Sequence, residues 1–214
     1  MMFEQIAQDA AAGRFEDWAV STVIDENIQA PVITASQFEA LHAAAGLVAQ
    51  WPVGNAGLLH VYGYLLSKVA TPYGLKGDRW RNGELAELLG VAPGAFLLEA
   101  AAAAGETVLQ RVTQAALPHL AHPAHGRGDL MVIDDEVPGG GTFFRTTVLS
   151  MPGRSRAAVV YGVSEGGRMR LVTAFPLADP TAASLDALAA DPPRMRYNAA
   201  LATLPPRSPL QRRH

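Results

Sequence analysis

The sequence predicts an α+β fold, in which a helical first half packs on an antiparallel four-stranded β-meander. Up to about residue 117, apolar residues recur at helical spacing between capping residues. After that point the chain changes to short β-branched and aromatic runs separated by turns rich in Gly and Pro. We expect a single α+β domain over 1–200, with these parts: helices over 1–125, the meander over 126–178, a C-terminal helix over 179–200, and then a disordered tail over 201–214.

The composition is that of a globular protein with a sizeable core. Of the 214 residues, 49% are hydrophobic and 17% charged, and the formal net charge is -3. The absence of cysteine excludes a disulfide framework, a thiolate nucleophile and a cysteine-ligated zinc. The N-terminus is acidic and lacks an apolar signal core, and no window approaches the ~18 apolar residues of a membrane span. We therefore expect a cytoplasmic protein with no membrane partner, and the acidic balance argues against nucleic acid.

The first half is predicted to be mainly helical, with identifiable helix ends. Gly13 can end the first helix because glycine adopts positive φ without penalty. Ser36 and Glu39 have capping-box spacing before the predicted helix over 38–51. Asn55 can cap the predicted helix over 56–69. In chain order the predicted segments are a helix over 3–12, a helix or strand over 15–24, an extended lead-in over 31–34, and helices over 38–51, 56–69, 83–89, 94–104 and 107–117.

The stretch from Trp51 to Trp80 concentrates the chemically versatile residues of the chain. It holds two of the three tryptophans, three of the five tyrosines and both lysines. Its helix is apolar on most sides and is therefore expected to be buried. The remaining band consists of His60, Tyr64 and Ser67, at i, i+4 and i+7. The spacing predicts that the helix carries this polar band into the interior.

The predicted strands cover 130–133, 142–151, 157–163 and 169–175. Four-residue loops in the two later hairpins would assign the side chains to two faces. One face then carries Arg145, Thr147, Leu149, Val160, Leu171, Thr173 and Phe175, and the other Phe144, Thr146, Val148, Val159, Tyr161 and Val172. Both faces are more apolar than a solvated face, so either helices cover both or one face meets a second subunit in a homodimer.

His60 and Tyr64 form the first candidate catalytic pair, one helical turn apart. A histidine can act as general base while a tyrosine donates a proton or orients the substrate. The alternative is a core histidine whose ring nitrogens are satisfied by the backbone or by Ser67.

Lys76 and Arg79 follow the Pro- and Gly-containing turn at 71–75. Two cations beside the aromatic Trp80 suit recognition of a carboxylate or phosphate, to which arginine can donate two hydrogen bonds. The alternative is a solvated loop in which Arg79 pairs with a neighbouring carboxylate, Asp78 or Glu84.

Arg145, Thr147 and Thr173 are polar residues among apolar neighbours on one predicted sheet face. A buried arginine needs a partner, because an unpaired buried charge is very costly. That partner can be a ligand anion or an internal carboxylate such as Asp134 or Glu136. Both possibilities stay open at this level.

Three histidines, His119, His122 and His125, have H-x-x-H-x-x-H spacing ahead of an acidic run. Imidazoles and carboxylates can hold a divalent metal. Pro118 and Pro123 break the helix that would align the rings, so a polar loop is the better interpretation. We therefore predict no metal site, and the Gly139–Gly141 run is interpreted as a hairpin connection.

Two resemblances bear on function. The block GNAGLLHVYGYLLS with TPYGLKGDRW and RLVTAFPL resembles a set of small actinobacterial proteins, some labelled generically as amino-acid deaminases. That resemblance covers most of residues 1–180 and implies an amino-acid-like substrate, without established catalytic residues. The helices and the meander ending in LVTAFP also resemble the barnase–EndoU–colicin–RelE ribonucleases. Thr173 matches their terminal-strand position and Arg145 can match their strand arginine, but the meander lacks a histidine unless His60 reaches over the sheet.

The leading hypothesis is an intracellular enzyme that acts on a small anionic, amino-acid-like metabolite by acid–base chemistry, of the deaminase or hydrolase type. It requires no organic cofactor. Two alternatives remain: a metal-independent ribonuclease, and a non-catalytic binding or assembly protein that forms a homodimer through an apolar sheet face. The residues proposed for the enzyme are His60, Tyr64 and Thr173 for catalysis and Lys76, Arg79, Arg145 and Thr147 for substrate binding.

Overall fold

The computed structural model describes residues 1–121, 129–136, 142–150, 155–178 and 180–190. Helices occupy the first half and a four-stranded antiparallel sheet the second, which confirms the predicted α+β class. The helices are α1 (Met2–Ala11), α2 (Ala35–Ala44), α3 (Tyr64–Leu66), α4 (Asp78–Arg81), α5 (Glu84–Leu88), α6 (Leu98–Ala103), α7 (Val108–Ala116), α8 (Pro118–Ala121) and α9 (Ala182–Ala190), with a 3-10 helix at Arg14–Asp17 and a π-helix at Leu58–Gly63.

Short two-stranded pairs connect the helices, and the large sheet follows them. The strands are β1 (Val20–Thr22), β2 (Ile24–Asp25), β3 (Ala30–Pro31), β4 (Val53–Asn55), β5 (Ala70–Thr71), β6 (Gly74–Leu75), β7 (Asp129–Glu136), β8 (Phe143–Ser150), β9 (Arg156–Glu165) and β10 (Arg168–Ala178). The sheet order β10-β9-β8-β7, with antiparallel neighbours, is the predicted meander. The predicted tail over 201–214 and the last part of the predicted C-terminal helix, 191–200, lie outside the described residues.

Two local predictions need correction. Residues 15–24 form neither one helix nor one strand, because β1 pairs with the distant β4 while the preceding residues form a 3-10 turn. The helix α2 is capped by Thr34 with Gln37, not by Ser36 with Glu39. Both pairs have the capping-box spacing, but a cap residue must be non-helical, and the extended residue here is Thr34.

A β-bulge in β10 changes which side chains share a face of the sheet. Leu171 lies opposite Gly162, but the next residue to pair is Thr173, opposite Tyr161. Val172 is therefore an extra residue in this strand. One inserted residue shifts the alternation of all later side chains to the other face.

The bulge overturns part of the predicted face assignment. Because of the extra residue, Thr173 and Phe175 do not share a face with Arg145 and Thr147. The prediction missed this because the sequence alone gives no sign of the bulge. The strand β10 therefore presents Leu171 to one side of the sheet and Thr173 and Phe175 to the other.

Helical segments pack against both faces of the sheet. The face carrying Leu149, Val160 and Leu171 belongs to the main core, together with the helices of the first half. On the other face, Leu185 and Leu188 of α9 contact the cluster of Val148, Ala157 and Val159. The sequence predicts that either helices cover both apolar faces or one of them meets a second subunit. In the described residues, helices cover part of each face. The homodimer stays a prediction. No helix in the described part of the chain is long and apolar enough to cross a membrane.

The predicted helix over 56–69 contains a π-helix in which all six residues are buried. Its wider turn still leaves i and i+4 side by side, and the rings of His60 and Tyr64 have centroids 4.8 Å apart. Ser67 follows the end of α3 with an extended backbone, so it does not continue the polar band. Asn55 accepts hydrogen bonds from the amides of Gly57 and Leu58, which confirms its role as the cap.

A buried carboxylate holds the π-helix against the rest of the helical half. Asp9 of α1 is fully buried. It accepts hydrogen bonds from the hydroxyls of Tyr62 and Thr107, each at 2.5 Å, and from Arg14 Nη1 at 3.0 Å. Thr107 also caps α7 by accepting a bond from Gln110. The carboxylate thus links α1, the π-helix and the start of α7.

Replacing Asp9 by Ala is therefore expected to lower the free energy of unfolding by about 3 kcal/mol or more. The change leaves two buried hydroxyls and a guanidinium without their acceptor. Urea denaturation of the variant measures this loss. Tyr62→Phe, which removes only one donor, serves as control, and its free energy of unfolding is expected to fall by ~1–2 kcal/mol. Equal falls in the two variants would contradict the idea that the Asp9 carboxylate stabilises the fold through all three of its hydrogen bonds.

Candidate functional site

A cavity of about 80 Å³ lies among β1, β2, the π-helix, the segment before α4, and β10. That volume is several times the ~10–15 Å³ needed to hold one water molecule. It is large enough for a small ligand, and the site is partly open to solvent. The cavity is lined by Ser21, Ile24, Asp25, Glu26, His60, Tyr64, Lys76, Arg79, Val172, Thr173 and Phe175.

Five of the seven residues predicted to form the site line this cavity. They come from three separated parts of the chain: His60 and Tyr64 from the π-helix and α3, Lys76 and Arg79 from the loop and α4, and Thr173 from β10. The bulge in β10 is what brings Thr173 to this side of the sheet. Bulges often re-aim a side chain next to a functional site in this way.

Arg145 and Thr147 do not line the cavity. Arg145 forms a forked ion pair with Asp134, at 2.7 Å from Nε and 2.6 Å from Nη2, and donates to the carbonyl of Leu120. The hydrogen bond to Asp134 raises the pKa of Arg145. Thr147 donates to the carbonyl of His119 at 3.0 Å. The internal carboxylate is thus the partner of Arg145, and both side chains hold α8 on the opposite face of the sheet.

The ring of His60 is held by a buried serine. Its Nε2 lies 2.6 Å from the hydroxyl of Ser21, and both residues are buried. The other ring nitrogen, Nδ1, is buried and has no hydrogen-bond partner among the described residues. Trp80 Nε1 donates to the backbone carbonyl of His60 at 3.0 Å, which fixes this turn of the π-helix.

His42 shows what a structural histidine looks like in this protein. Its Nδ1 lies 2.8 Å from the carbonyl of Phe38, and its Nε2 accepts from the amide of Asn55 at 3.3 Å. Both of its ring nitrogens are therefore satisfied by backbone groups. Within the described residues, the ring of His60 bonds neither to a backbone group nor to Ser67, so it differs from the core histidine considered as the alternative. Buried polar atoms without partners are uncommon, and a catalytic role is one of the explanations for them.

His60 is held in its neutral form. Burial, together with the positive charges of Arg79 and Lys76, lowers its pKa well below the ordinary 6.5. Neutral imidazole has one nitrogen that can accept a proton. The site therefore keeps His60 available as a base at neutral pH.

Arg79 is a partly buried cation without a carboxylate partner in the described part of the chain. Its Nη1 donates to the hydroxyl of Thr173 at 2.9 Å. Its guanidinium carbon lies 5.1 Å from the ring centre of Tyr64 and 5.5 Å from that of Phe175. Neither predicted alternative, Asp78 or Glu84, forms an ion pair with it. Burial lowers the pKa of Arg79, but an arginine stays charged at any ordinary pH.

Lys76 contrasts with Arg79 because it is neutralised within the protein. Its ammonium group pairs with Asp25, and both side chains are largely buried. Burial and the charge of Arg79 lower the pKa of Lys76 in spite of this pair. Burial alone would raise the pKa of Asp25, but Lys76 and the amides of Asn27 and Ile28 lower it overall.

Tyr64 contributes a hydroxyl group to the cavity wall. Burial raises its pKa to about 12, against the opposing effect of Arg79, so its hydroxyl stays protonated at neutral pH. The residue is buried between the His60 ring and the two cations. It can donate a hydrogen bond to a ligand oxygen in the cavity.

Sequence reasoning did not identify Ser21 or Asp25 as site residues. Ser21 lies in the segment over 15–24, whose pattern fits either a helix or a strand. Its hydrogen-bond partner, His60, is 39 positions away in the sequence. Asp25 carries a weak local signal, because its carboxylate accepts from the amides two and three residues on, as in an Asx turn. Nothing in that signal points to Lys76.

The described residues contain no group of three His, Asp or Glu side chains that could hold a metal ion. Of the predicted cluster, His119 belongs to α8, whereas His122 and His125 lie outside the described residues. The Gly139–Gly141 run also lies outside them.

Comparison with known protein families, curated proteins and solved structures found no match for this chain.

The lowered pKa of His60 predicts a specific pH dependence of stability. The unfolded chain binds a proton at His60 near pH 6.5, whereas the folded protein does not. The free energy of unfolding therefore falls as pH drops below about 6.5, by up to ~1.4 kcal/mol per pH unit for this group, until the folded pKa is reached. Urea denaturation between pH 8 and pH 5 measures this slope, and His60→Gln is expected to flatten it.

His42→Gln is the matched control for this measurement. The pKa of His42 is also lowered by burial, so it contributes its own part of the slope. Its replacement also removes two structural hydrogen bonds and is expected to lower stability at every pH. An unchanged slope in His60→Gln would show that His60 is not held neutral.

Proposed function

We propose that the cavity binds a small anionic, amino-acid-like metabolite and that the protein is an enzyme acting on it by acid–base chemistry, of the deaminase or hydrolase type. His60 is the general base and Tyr64 the hydrogen-bond donor. Arg79 binds the anionic group, and Thr173 orients the guanidinium. Arg145 and Thr147 have no part in this function, since their polar groups bond elsewhere.

The observation that carries the proposal is the state of Arg79. It reaches the cavity wall as a partly buried guanidinium whose only hydrogen bond among the described residues goes to a threonine hydroxyl. Asp25 acts on Arg79 only from beyond ion-pair distance. A partly buried cation that forms no ion pair within the described residues attracts an anion strongly, and guanidinium matches a carboxylate in shape. Lys76 and Arg145, in contrast, each have a carboxylate partner.

The other walls of the cavity favour an amino-acid-like ligand. They carry carboxylates at Asp25 and Glu26 as well as the cations. A ligand with both an ammonium and a carboxylate group complements such a mixed wall better than a simple anion does. The small volume selects against nucleotides and other large ligands.

A ribonuclease is the second candidate, because the His60 ring lines the same cavity as Thr173 of the last strand. In that case His60 of the π-helix would serve as the base that the meander lacks. Lys76 and Arg79 stand beside it, where a phosphate would need positive charge. The net charge of -3 and the size of the cavity favour the small metabolite.

Thermal denaturation in the presence of α-amino acids, 2-keto acids and nucleotides tests the proposed ligand class. A ligand at one hundred times its dissociation constant stabilises the folded state by ~2.7 kcal/mol. We expect stabilisation by at least one amino acid or keto acid, and its loss in Arg79→Met. Arg145→Met is the matched control, and it should retain the ligand-induced shift even though its own ion pair is lost.

Equal ligand-induced shifts in wild type and Arg79→Met would refute the anion site. Stabilisation by nucleotides alone, with RNA cleavage, would favour the ribonuclease. For the catalytic role, an identified substrate must be turned over at least ~100-fold more slowly by His60→Gln. Unchanged turnover in that variant would leave a binding protein without catalysis at this site.

A further inference from the structure

The hydroxyl of Ser21 is hydrogen-bonded to a histidine ring, a different kind of partner from those of the buried hydroxyls of Thr107, Thr113 and Ser67. Thr113 donates to the carbonyl of Leu109, and Ser67 accepts from the amide of Val69. Such bonds to the local backbone are structural. The bond of Ser21 is to the ring of His60, at 2.6 Å, and both residues line the cavity.

We propose that Ser21 is a nucleophile activated by His60, and that the site cleaves a small carboxylate-bearing ester or amide through an acyl-serine intermediate. This inference rests on the proposed function, because the substrate needs Arg79 to hold its carboxylate. A nucleophile and a base within hydrogen-bond distance of each other are the structural signature of covalent catalysis.

Two elements hold the pair rigidly. Ser21 lies on β1, where it is paired with Gly54 of β4. The carbonyl of His60 accepts from Trp80, and its ring packs on that of Tyr64. The serine is therefore presented by a strand and the base by a buried helix, which are more precise supports than a loop.

His60 can accept the serine proton in one of its two neutral tautomers. A neutral imidazole accepts at Nε2 when its own proton is on Nδ1. No carboxylate in the described chain bonds to Nδ1 of His60, so the pair lacks the third member of a triad. A substrate carboxylate beside Arg79 offsets the positive charge near the ring, and so favours the imidazolium formed during attack.

The proposed reaction has two steps, acylation of Ser21 and hydrolysis of the acyl-serine. In the first, the Ser21 oxygen bonds to the acyl carbon while its proton moves to His60 Nε2, and the carbonyl electron pair moves to oxygen, near the donors Tyr64 and Arg79. Collapse of this intermediate breaks the bond to the leaving group, which takes the proton from His60. In the second, water attacks the acyl-serine with His60 again as base, releasing the acid and restoring the serine. An amide substrate releases ammonia or an amine in this way.

Methanesulfonyl fluoride, which is small enough for the cavity, tests the nucleophile directly. The serine oxygen displaces fluoride at sulfur, and the proton leaves through the base. Mass spectrometry of the wild-type protein is expected to find the modification on Ser21, and none in Ser21→Ala. Ser67, a buried serine that does not line the cavity, is the internal control and should stay unmodified.

The rate of labelling separates a nucleophile from a merely reactive serine. His60→Gln should label at least ~100-fold more slowly than wild type. In the wild type the rate should stay constant from pH 8 to below pH 6.5 and then fall about tenfold per pH unit, because His60 must be neutral. This pH profile needs only the wild-type protein, so it holds even if a variant fails to fold.

Absence of label on Ser21, or equal rates in wild type and a folded His60→Gln, overturns the proposal. Its failure is distinguishable from failure of the proposed function. If Ser21 stays unmodified while amino acids still stabilise the protein through Arg79, the anion site stands without this nucleophile. If Ser21 is modified in the His60-dependent manner but no anion stabilises the protein, the anion site fails and the nucleophile stands.

Discussion

The buried carboxylate of Asp9 is the interaction on which the helical half depends. It accepts from Tyr62 in the π-helix, from Thr107 at the start of α7, and from Arg14 beside α1. A buried charge is tolerated only when its hydrogen bonds are complete, so these three elements have one relative arrangement. Tyr62 lies two residues from His60. The network that stabilises the fold therefore also sets the position of the candidate base.

The cavity arises where this helical half meets an irregularity in the sheet. A regular β10 would point Thr173 away from His60, and the extra residue Val172 reverses that. The threonine then accepts a hydrogen bond from Arg79, the cation that we propose binds the ligand. Lys76, three residues earlier, is neutralised by Asp25. Two neighbouring cations thus have different partners: Lys76 pairs with a carboxylate, and Arg79 donates to a threonine hydroxyl.

The parts of the site that were predictable are those set by short-range spacing. His60 and Tyr64 are four residues apart on a helix that is apolar on its other sides, and such a pair meets whether the turn is α or π. The meander was predictable for the same reason, since each strand pairs with its neighbour in sequence. Arg145 was ambiguous, because its chemistry fits an internal carboxylate as well as a ligand, and the structure pairs it with Asp134.

The sequence by itself determined the α+β class, the burial of the helix that carries His60, and the closeness of His60 to Tyr64, because these follow from local periodicity and capping. The tertiary structure alone decided that Ser21 bonds to His60, that Asp25 neutralises Lys76, and that Thr173 faces Arg79. Those contacts join residues 39, 51 and 94 positions apart. They depend on strand register and on a single bulge, and a one-residue shift in either reverses the direction of every side chain beyond it.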